Sequence, residues 1–244
     1  MKAINMTDEI DKKAFPYLPP SKKITSEYAE YFNKSYRPRK RHLKRLFDLL
    51  FSGLLIIFAI PIIFVLKIAY LIEGFIEPKS RGPLFYFYYG ISQGETFKKW
   101  KFRVIKTECY DFEVFQEHQW EAYQQEWNTD ARTFVGSFVK KYYLDEIPQF
   151  FSVFLGDMSF VGPRPLCVTH YHRDIEQGNV TRRLLKGGVL GLGHIKKGTS
   201  EMGAPVYEYE YLHAHETASD MQLFRLDLKI IKAGALLVLK GGGH

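Results

Sequence analysis

Polar and apolar positions divide the chain into three stretches. Residues 1–36 mix charges, scattered tyrosines and three prolines (Pro16, Pro19, Pro20) with no sustained period, which reads as an extended arm laid on another surface. Arg37 to Arg45, RPRKRHLKR, follows with Arg37, Arg39, Lys40, Arg41, Lys44 and Arg45 and no acid. Leu46 to Ile72 is then an apolar run whose only charges are Asp48 and Lys67. Its 18 uncharged residues, Leu49 to Leu66, would reach about 27 Å as a straight helix, against a hydrocarbon core of about 30 Å. Pro61 lies inside the run, where a proline removes one helical hydrogen bond and displaces the carbonyl four residues back, near Ile57. On the residues alone, a single span with a tolerated proline and a dip into one leaflet with return to the same face fit equally well.

From residue 78 onward the pattern is that of a globular domain. GPLFYFYYG suits a strand or hairpin edge, and FKKWKFRVIK, read as a strand, places Lys99, Lys101 and Arg103 on one face. Residues 108–127 are charged and aromatic and read as a helix without a cap. Ile147, Phe150, Phe151, Phe154 and Leu155 recur at helical spacing, with Gly156 as the stop. Asp145 is placed to cap that helix, Glu146 falls in its first turn, and Pro148 is tolerated there. From Leu223, apolar positions at helical spacing enclose Arg225, Lys229 and Lys232, a helix that faces either the core or a membrane interface. The organisation expected is an arm over 1–36, a basic flank and membrane helix over 37–77, and a globular domain over 78–244. The fold class expected is mainly α with a small β element (α+β).

Composition narrows the function classes. A hydrophobic fraction of 46% over 244 residues is enough for a buried core and excludes disorder for the bulk of the chain. The excess of 34 basic over 27 acidic residues gives +7, which favours anionic partners. A basic run beside an apolar segment attracts an anionic leaflet at about 1 kcal/mol per basic residue. Nucleic acid is suggested by charge alone and is opposed by the apolar run. The two cysteines, Cys109 and Cys167, form neither a CxxC pair nor a disulfide framework.

The densest chemistry lies in KKYYLDEIPQFFSVFLGDMSFVGPRPL. A helix N-terminus and the nearby cations Lys140, Lys141 and Arg164 favour an ionised Asp145, a nucleophile rather than a proton donor at neutral pH. Adjacent acids also suit a division of labour in which one attacks and the other holds a divalent cation against phosphate oxygens. Two acids that merely cap a buried helix are the structural alternative. His170-x-His172 and His213-x-His215 share a face only if they lie on strands, so surface histidines are the preferred reading over a metal site. The glycines of 186–198 match neither a P-loop nor a dinucleotide fingerprint, which leaves a flexible loop or a substrate-facing lid.

From Lys44 to Leu239 the chain resembles the monotopic phosphoglycosyl transferases, also called the bacterial sugar transferase family. The resemblance runs through KRLFD opening a helix with an internal proline, GPLFY, KFR, the long block LDEIPQFFSVFLGDMSFVGPRPL and LDLKII. It implies a small-form member with an N-terminal extension and a re-entrant helix-break-helix, with Pro61 at the break and both ends on the cytoplasmic face of the bacterial inner membrane. It implies transfer of a sugar 1-phosphate from a nucleoside diphosphate sugar, a UDP-sugar by preference, to polyprenyl phosphate. Carried onto this chain, Asp145 would attack the β-phosphate to form a covalent phosphosugar, Glu146 would bind magnesium (Mg), and Lys101 and Arg164 would stabilise phosphate charge. Arg103, Lys141 and Pro163 would complete the substrate-binding set. The chain departs from the family at YYGISQGETF, where a Gln-x-Arg-x-Gly pattern is usual, and at KGGVLGLGHIKKG, where a Pro-Gly-x-Thr-Gly-Trp loop is common. Those altered loops also fit a catalytically silent membrane scaffold of the same fold, against which the intact Asp145–Glu146 pair argues.

Overall fold

The computed structural model describes residues 15–110, 125–126, 128–196, 199 and 201–239. Most of the helix expected over 108–127, and the first part of the arm, therefore lie outside the described residues. What is described is mainly helical with a small sheet, the α+β class expected.

The arm is not bare. Ser21 caps a short helix, α1 (Lys22–Glu27), and a single 3-10 turn follows at Ala29–Phe32. Tyr28 and Tyr31 are buried, and the chain is pinned further on by Tyr36 donating to Glu216 Oε2 at 2.7 Å. Helix α2 (His42–Ile76) contains the whole apolar run. Its buried residues, Asp48, Ser52, Ala59, Leu66, Tyr70, Glu73 and Gly74, form a stripe at helical spacing. Leu50, Ile57, Phe58, Phe64, Val65, Phe75 and Ile76 on its remaining surface are exposed. Polar side chains turned to the protein and large apolar ones turned away are the inverse of a water-facing amphipathic helix, and suit lipid as the outer solvent. By length and composition the helix can cross a membrane.

Two expectations about this segment need correction. Pro61 does not interrupt the helix, which is continuous from His42 to Ile76; a proline deletes one backbone donor, and the flanking turns carry the helix past it. The basic run is also less available to a membrane than six charges suggest. Arg41 donates to the carbonyls of His215 and Ala218 and pairs with Asp220, Lys44 pairs with Asp227 at 2.7 Å, and Arg45 donates to the carbonyls of Val153 and Phe154. Asp48, with its basic neighbours so engaged, accepts from Phe160 N at 3.1 Å.

Strands β1 (Phe85–Ser92) and β2 (Glu95–Phe102) form a hairpin in the register Ser92↔Glu95 to Phe85↔Phe102. Gln93 and Gly94, both at positive φ, make the two-residue turn that matches strand twist. Helix α3 (Phe134–Lys141) is capped by Thr133 and by the carboxylate of Glu73, which accepts from Phe134 N at 2.6 Å and Val135 N at 3.1 Å. Next come α4 (Gln149–Leu155), β3 (Ser159–Val161), β4 (Leu166–Cys167), α5 (Val168–Glu176), α6 (Thr181–Leu184), β5 (Gly188–Leu190), α7 (Val206–Thr217) and α8 (Asp220–Leu239). β4 extends the hairpin antiparallel on β1, and β3 pairs parallel with β5.

Two apolar clusters set the site between them. The larger joins arm residues Tyr28 and Tyr31 to Phe160, Tyr209, Leu212, Leu223 and Ile230, so α8 faces the core through Leu223 and Ile230. The smaller joins Ala59 and Leu66 of α2 to Phe102, Val139 and Ile147, directly beneath the Asp145 turn. Both ends of α2 are therefore fixed to one body, at Asp48 and at Tyr70 and Glu73, where the Tyr70 hydroxyl donates to the Arg103 carbonyl.

Candidate active site

Asp145 does not cap a helix. Leu144–Glu146 is one 3-10 turn, entered through Tyr143 at φ +56°, and α4 begins only at Gln149 with Pro148 before it. A non-glycine residue in the left-handed region is sterically costly, and here it reverses the chain out of α3 so that Asp145 turns inward. Gly156 ends α4 at φ +97°, as the sequence indicates.

The carboxylate of Asp145 is 1% exposed and its Oδ2 receives two lysines, Lys101 Nζ at 3.1 Å and Lys140 Nζ at 3.5 Å. Its Oδ1 is buried and accepts no hydrogen bond among the described residues, an arrangement that carries a cost unless another ligand supplies the partner. Both lysines also reach Glu126 Oε2, at 3.4 Å and 2.6 Å, and Tyr86 donates to the other oxygen of Glu126. Glu146 faces Arg164, whose guanidinium lies 3.2 Å from Oε1.

The environment sorts these groups. Burial raises the Glu146 carboxyl, but Arg164, Lys99, Lys101 and Lys140 together outweigh it and hold the group well below the usual carboxylate range. Burial and the neighbouring Lys140 charge push Lys101 down to about 8, although Asp145 and Glu146 favour its charge. Lys140 moves the other way: burial opposes its charge, and Asp145 and Glu126 more than restore it. Burial raises Glu126 despite Lys140.

The GPRP turn is positioned by close backbone contact. Gly188 donates to the Pro163 carbonyl at 2.8 Å, and a Cβ on Gly188 would come within 2.2 Å of Gly162 N, so the turn and β5 require glycine to approach. Behind it, Arg182 Nε donates to the Arg164 carbonyl at 2.9 Å while its other nitrogens pair with Asp174, at 2.8 Å, and Glu208.

A cavity of about 520 Å³ opens on this cluster, with Lys140, Asp145, Glu146, Pro163 and Arg164 on its wall. Phe51 and Leu55 of α2, and Ile231, Ala235 and Leu237 of α8, line an apolar part of it. Gly191, Leu192 and Gly193 of the glycine segment also line it; the end of that segment lies outside the described residues.

Not all of the expected residues meet here. Asp145, Glu146, Lys101, Arg164 and Pro163 are brought together. Arg103 shares the buried face of the hairpin but donates to the carbonyls of Pro83, Ser80 and Ile105, which makes it a strut that closes the loop before β1 rather than a substrate ligand. Lys141, one residue beyond Lys140 on a short helix, points to solvent beside the Tyr142 ring and does not line the cavity. The histidine pairs lie on α5 and α7, where i and i+2 diverge; His213 meets the Tyr31 hydroxyl and His215 the Glu216 carboxylate. Glu126 and Arg182 had no local signal, because their partners come from distant elements.

Comparisons with known proteins bear on the family of the chain. A sequence profile described as bacterial sugar transferase matches residues 39–241. The UDP-glucose:undecaprenyl-phosphate glucose-1-phosphate transferase of Klebsiella pneumoniae is 35% identical over 207 residues, covering 81% of this chain and 40% of that protein. The undecaprenyl-phosphate galactose phosphotransferase of Salmonella typhimurium is 34% identical over 171 residues, covering 67% of this chain and 34% of that one. The exopolysaccharide production protein ExoY of Sinorhizobium fredii is 34% identical over 132 residues, 50% of this chain and 55% of ExoY. The chain thus spans about a third to just over half of the length of these relatives.

Proposed function

Because the chain belongs to the bacterial sugar transferase family, we propose that it moves a sugar 1-phosphate from a nucleoside diphosphate sugar to polyprenyl phosphate in two displacements at Asp145. The observation that carries this reading is the buried Asp145 carboxylate, with one oxygen on two lysines and the other without a partner among the described residues, on the wall of a cavity with both polar and apolar lining. Asp145 attacks the β-phosphorus, the bond to the bridging oxygen breaks, and nucleoside monophosphate leaves. An oxygen of polyprenyl phosphate then attacks the same phosphorus and releases Asp145, which predicts ping-pong kinetics. Lys101, Lys140 and Arg164 neutralise charge on the phosphoryl oxygens, the dominant contribution to phosphoryl transfer.

The residues present fit a divalent cation of the magnesium type. Glu146 is held ionised by its cations and Asp145 Oδ1 is unpartnered, and such ions take one or two carboxylates together with substrate phosphates. Among the described residues no three His, Cys, Asp or Glu side chains are grouped to hold an ion without substrate. Glu146 would hold the ion, which when bound would neutralise diphosphate oxygens. The fastening of both ends of α2 to one body supports a helix that is bent at Pro61 without being broken there and that enters and leaves at a single face, the cytoplasmic face of the inner membrane, where a lipid phosphate and a soluble nucleotide can both arrive.

The test is nucleoside monophosphate release by nanodisc-embedded protein given polyprenyl phosphate, magnesium and a panel of nucleoside diphosphate sugars. Release that requires an acceptor lipid and vanishes in Asp145→Asn is the expected result. A folded, membrane-inserted protein that turns over no donor in the panel refutes the reading and leaves the silent scaffold.

A further inference from the structure

The match to the family begins at residue 39, yet residues well before it reach the cavity. Pro16 and Tyr17 are part of its wall, alongside Met202, Tyr207 and Glu208. The segment is pinned on both sides: Leu18 N donates to the Gly203 carbonyl at 3.2 Å, and Asn179 Nδ2 donates to the Leu18 carbonyl at 3.1 Å. Gly203, at φ +81°, lies so close that a Cβ there would meet the Pro16 carbonyl oxygen. Phe15 is buried between Arg173 and His170 and meets the Tyr17 ring edge-on at 5.4 Å.

Tyr17 is thereby held in one orientation. The Arg182 guanidinium sits 4.1 Å from its ring centroid, and that arginine also binds the carbonyl of Arg164 and pairs with Asp174 and Glu208. A continuous set of contacts links Tyr17 to the residue that faces Glu146. The Tyr17 hydroxyl makes no hydrogen bond among the described residues, so a rigid aromatic presents an unused polar group beside the cavity. Tyr17 meets Phe15 and Arg182 of α6, and that arginine pairs with Asp174 of α5 and Glu208 of α7, whereas the apolar lining comes from α2 and α8. That location suits the water-soluble substrate rather than the prenyl chain.

Resting on the function proposed above, we infer that Phe15–Leu18 forms a wall of the donor site and that the Tyr17 hydroxyl hydrogen-bonds the nucleoside diphosphate sugar. The arm is then a specificity element for the donor, built from residues outside the family-matched region.

The experiment compares nanodisc-embedded wild type, Tyr17→Phe and Tyr17→Leu by steady-state kinetics with the panel's best donor, by equilibrium binding of that donor, and by thermal unfolding. Tyr17→Phe should raise donor KM and Kd about three- to tenfold, the worth of one neutral hydrogen bond, with kcat, polyprenyl phosphate KM and Tm unchanged. Tyr17→Leu should raise donor KM further. An unchanged donor KM in Tyr17→Phe overturns the inference, as does a rise in both substrates' KM with a fall in Tm, which marks a purely structural wall. Wild type that neither binds nor turns over any donor refutes the reading beneath, and the inference with it.

Discussion

Lys101 should stabilise the reaction and destabilise the fold, and the two effects separate with pH. Its ammonium is buried against Asp145, Glu126, Lys140 and the Tyr88 ring, and burial together with Lys140 lowers its pKa from 10.5 to about 8. At about 1.36 kcal/mol for each factor of ten in proton affinity, that fall means that holding this proton costs the folded state on the order of 3 kcal/mol at pH 7. The unfolded chain binds the proton more tightly, so Lys101 lowers stability in full below pH 8. That penalty fades as pH rises from about 8 to 10.5, because the folded chain releases the proton first. Lys101→Met removes the penalty and leaves Asp145 and Glu126 with Lys140. It should therefore melt at or above wild type at pH 7 and lack the wild-type rise in Tm between pH 8 and 10. Activity should move oppositely: wild-type kcat falls as pH passes about 8, and Lys101→Met loses about 10²–10³-fold in kcat, the scale of one preorganised charge-stabilising donor. Thermal unfolding and nucleoside monophosphate release on the same nanodisc samples check both. A Lys101→Met protein that melts well below wild type at pH 7 would refute the reasoning, since the lysine would then be a net structural support.

Three further outcomes follow from α2 and the basic run at its start. Glu73→Ala removes the carboxylate that caps α3 through Phe134 N and Val135 N and should lower unfolding stability by about 1.5–3 kcal/mol in a denaturant titration. Of the basic run, Arg37, Arg39, Lys40 and Arg45 lack acidic side-chain partners among the described residues, and of these Arg45 is held by the carbonyls of Val153 and Phe154, so Arg37→Gln with Lys40→Gln should weaken sedimentation with anionic vesicles by about 2 kcal/mol at low salt, while Lys44→Gln should lower Tm through the loss of its Asp227 pair.

Local signals were readable where chemistry and spacing lay in one stretch of chain. The block from Leu144 to Leu166 contains Asp145, Glu146 and Arg164, and strand alternation put Lys99 and Lys101 on one face. Which face is buried was not legible, because a lone strand pattern places tryptophan and phenylalanine inward and lysine outward. In the fold Lys99 and Lys101 are buried while Trp100 is partly exposed; for Lys101 the acids come from residues 126 and 145, distant in sequence. Helix α4 inverts in part: Gln149 and Ser152 are buried alongside Val153, while Phe151, Phe154 and Leu155 are exposed, beside α2, where the Phe154 ring approaches Gly53. In α2 the same inversion puts Asp48, Ser52 and Glu73 on the protein side. A pattern rule that assumes water outside misreads α2 and α4 for one reason, that their exposed faces are the apolar ones and suit a lipid rather than an aqueous surround, and misreads β2 for another, that the inner neighbours of Lys101 are carboxylates. Under the proposed function the Asp145 cluster needs both conditions, since a buried Asp145 with lysine partners requires cations turned inward, and a polyprenyl phosphate would reach it only if the helices around it turned their apolar faces to a membrane.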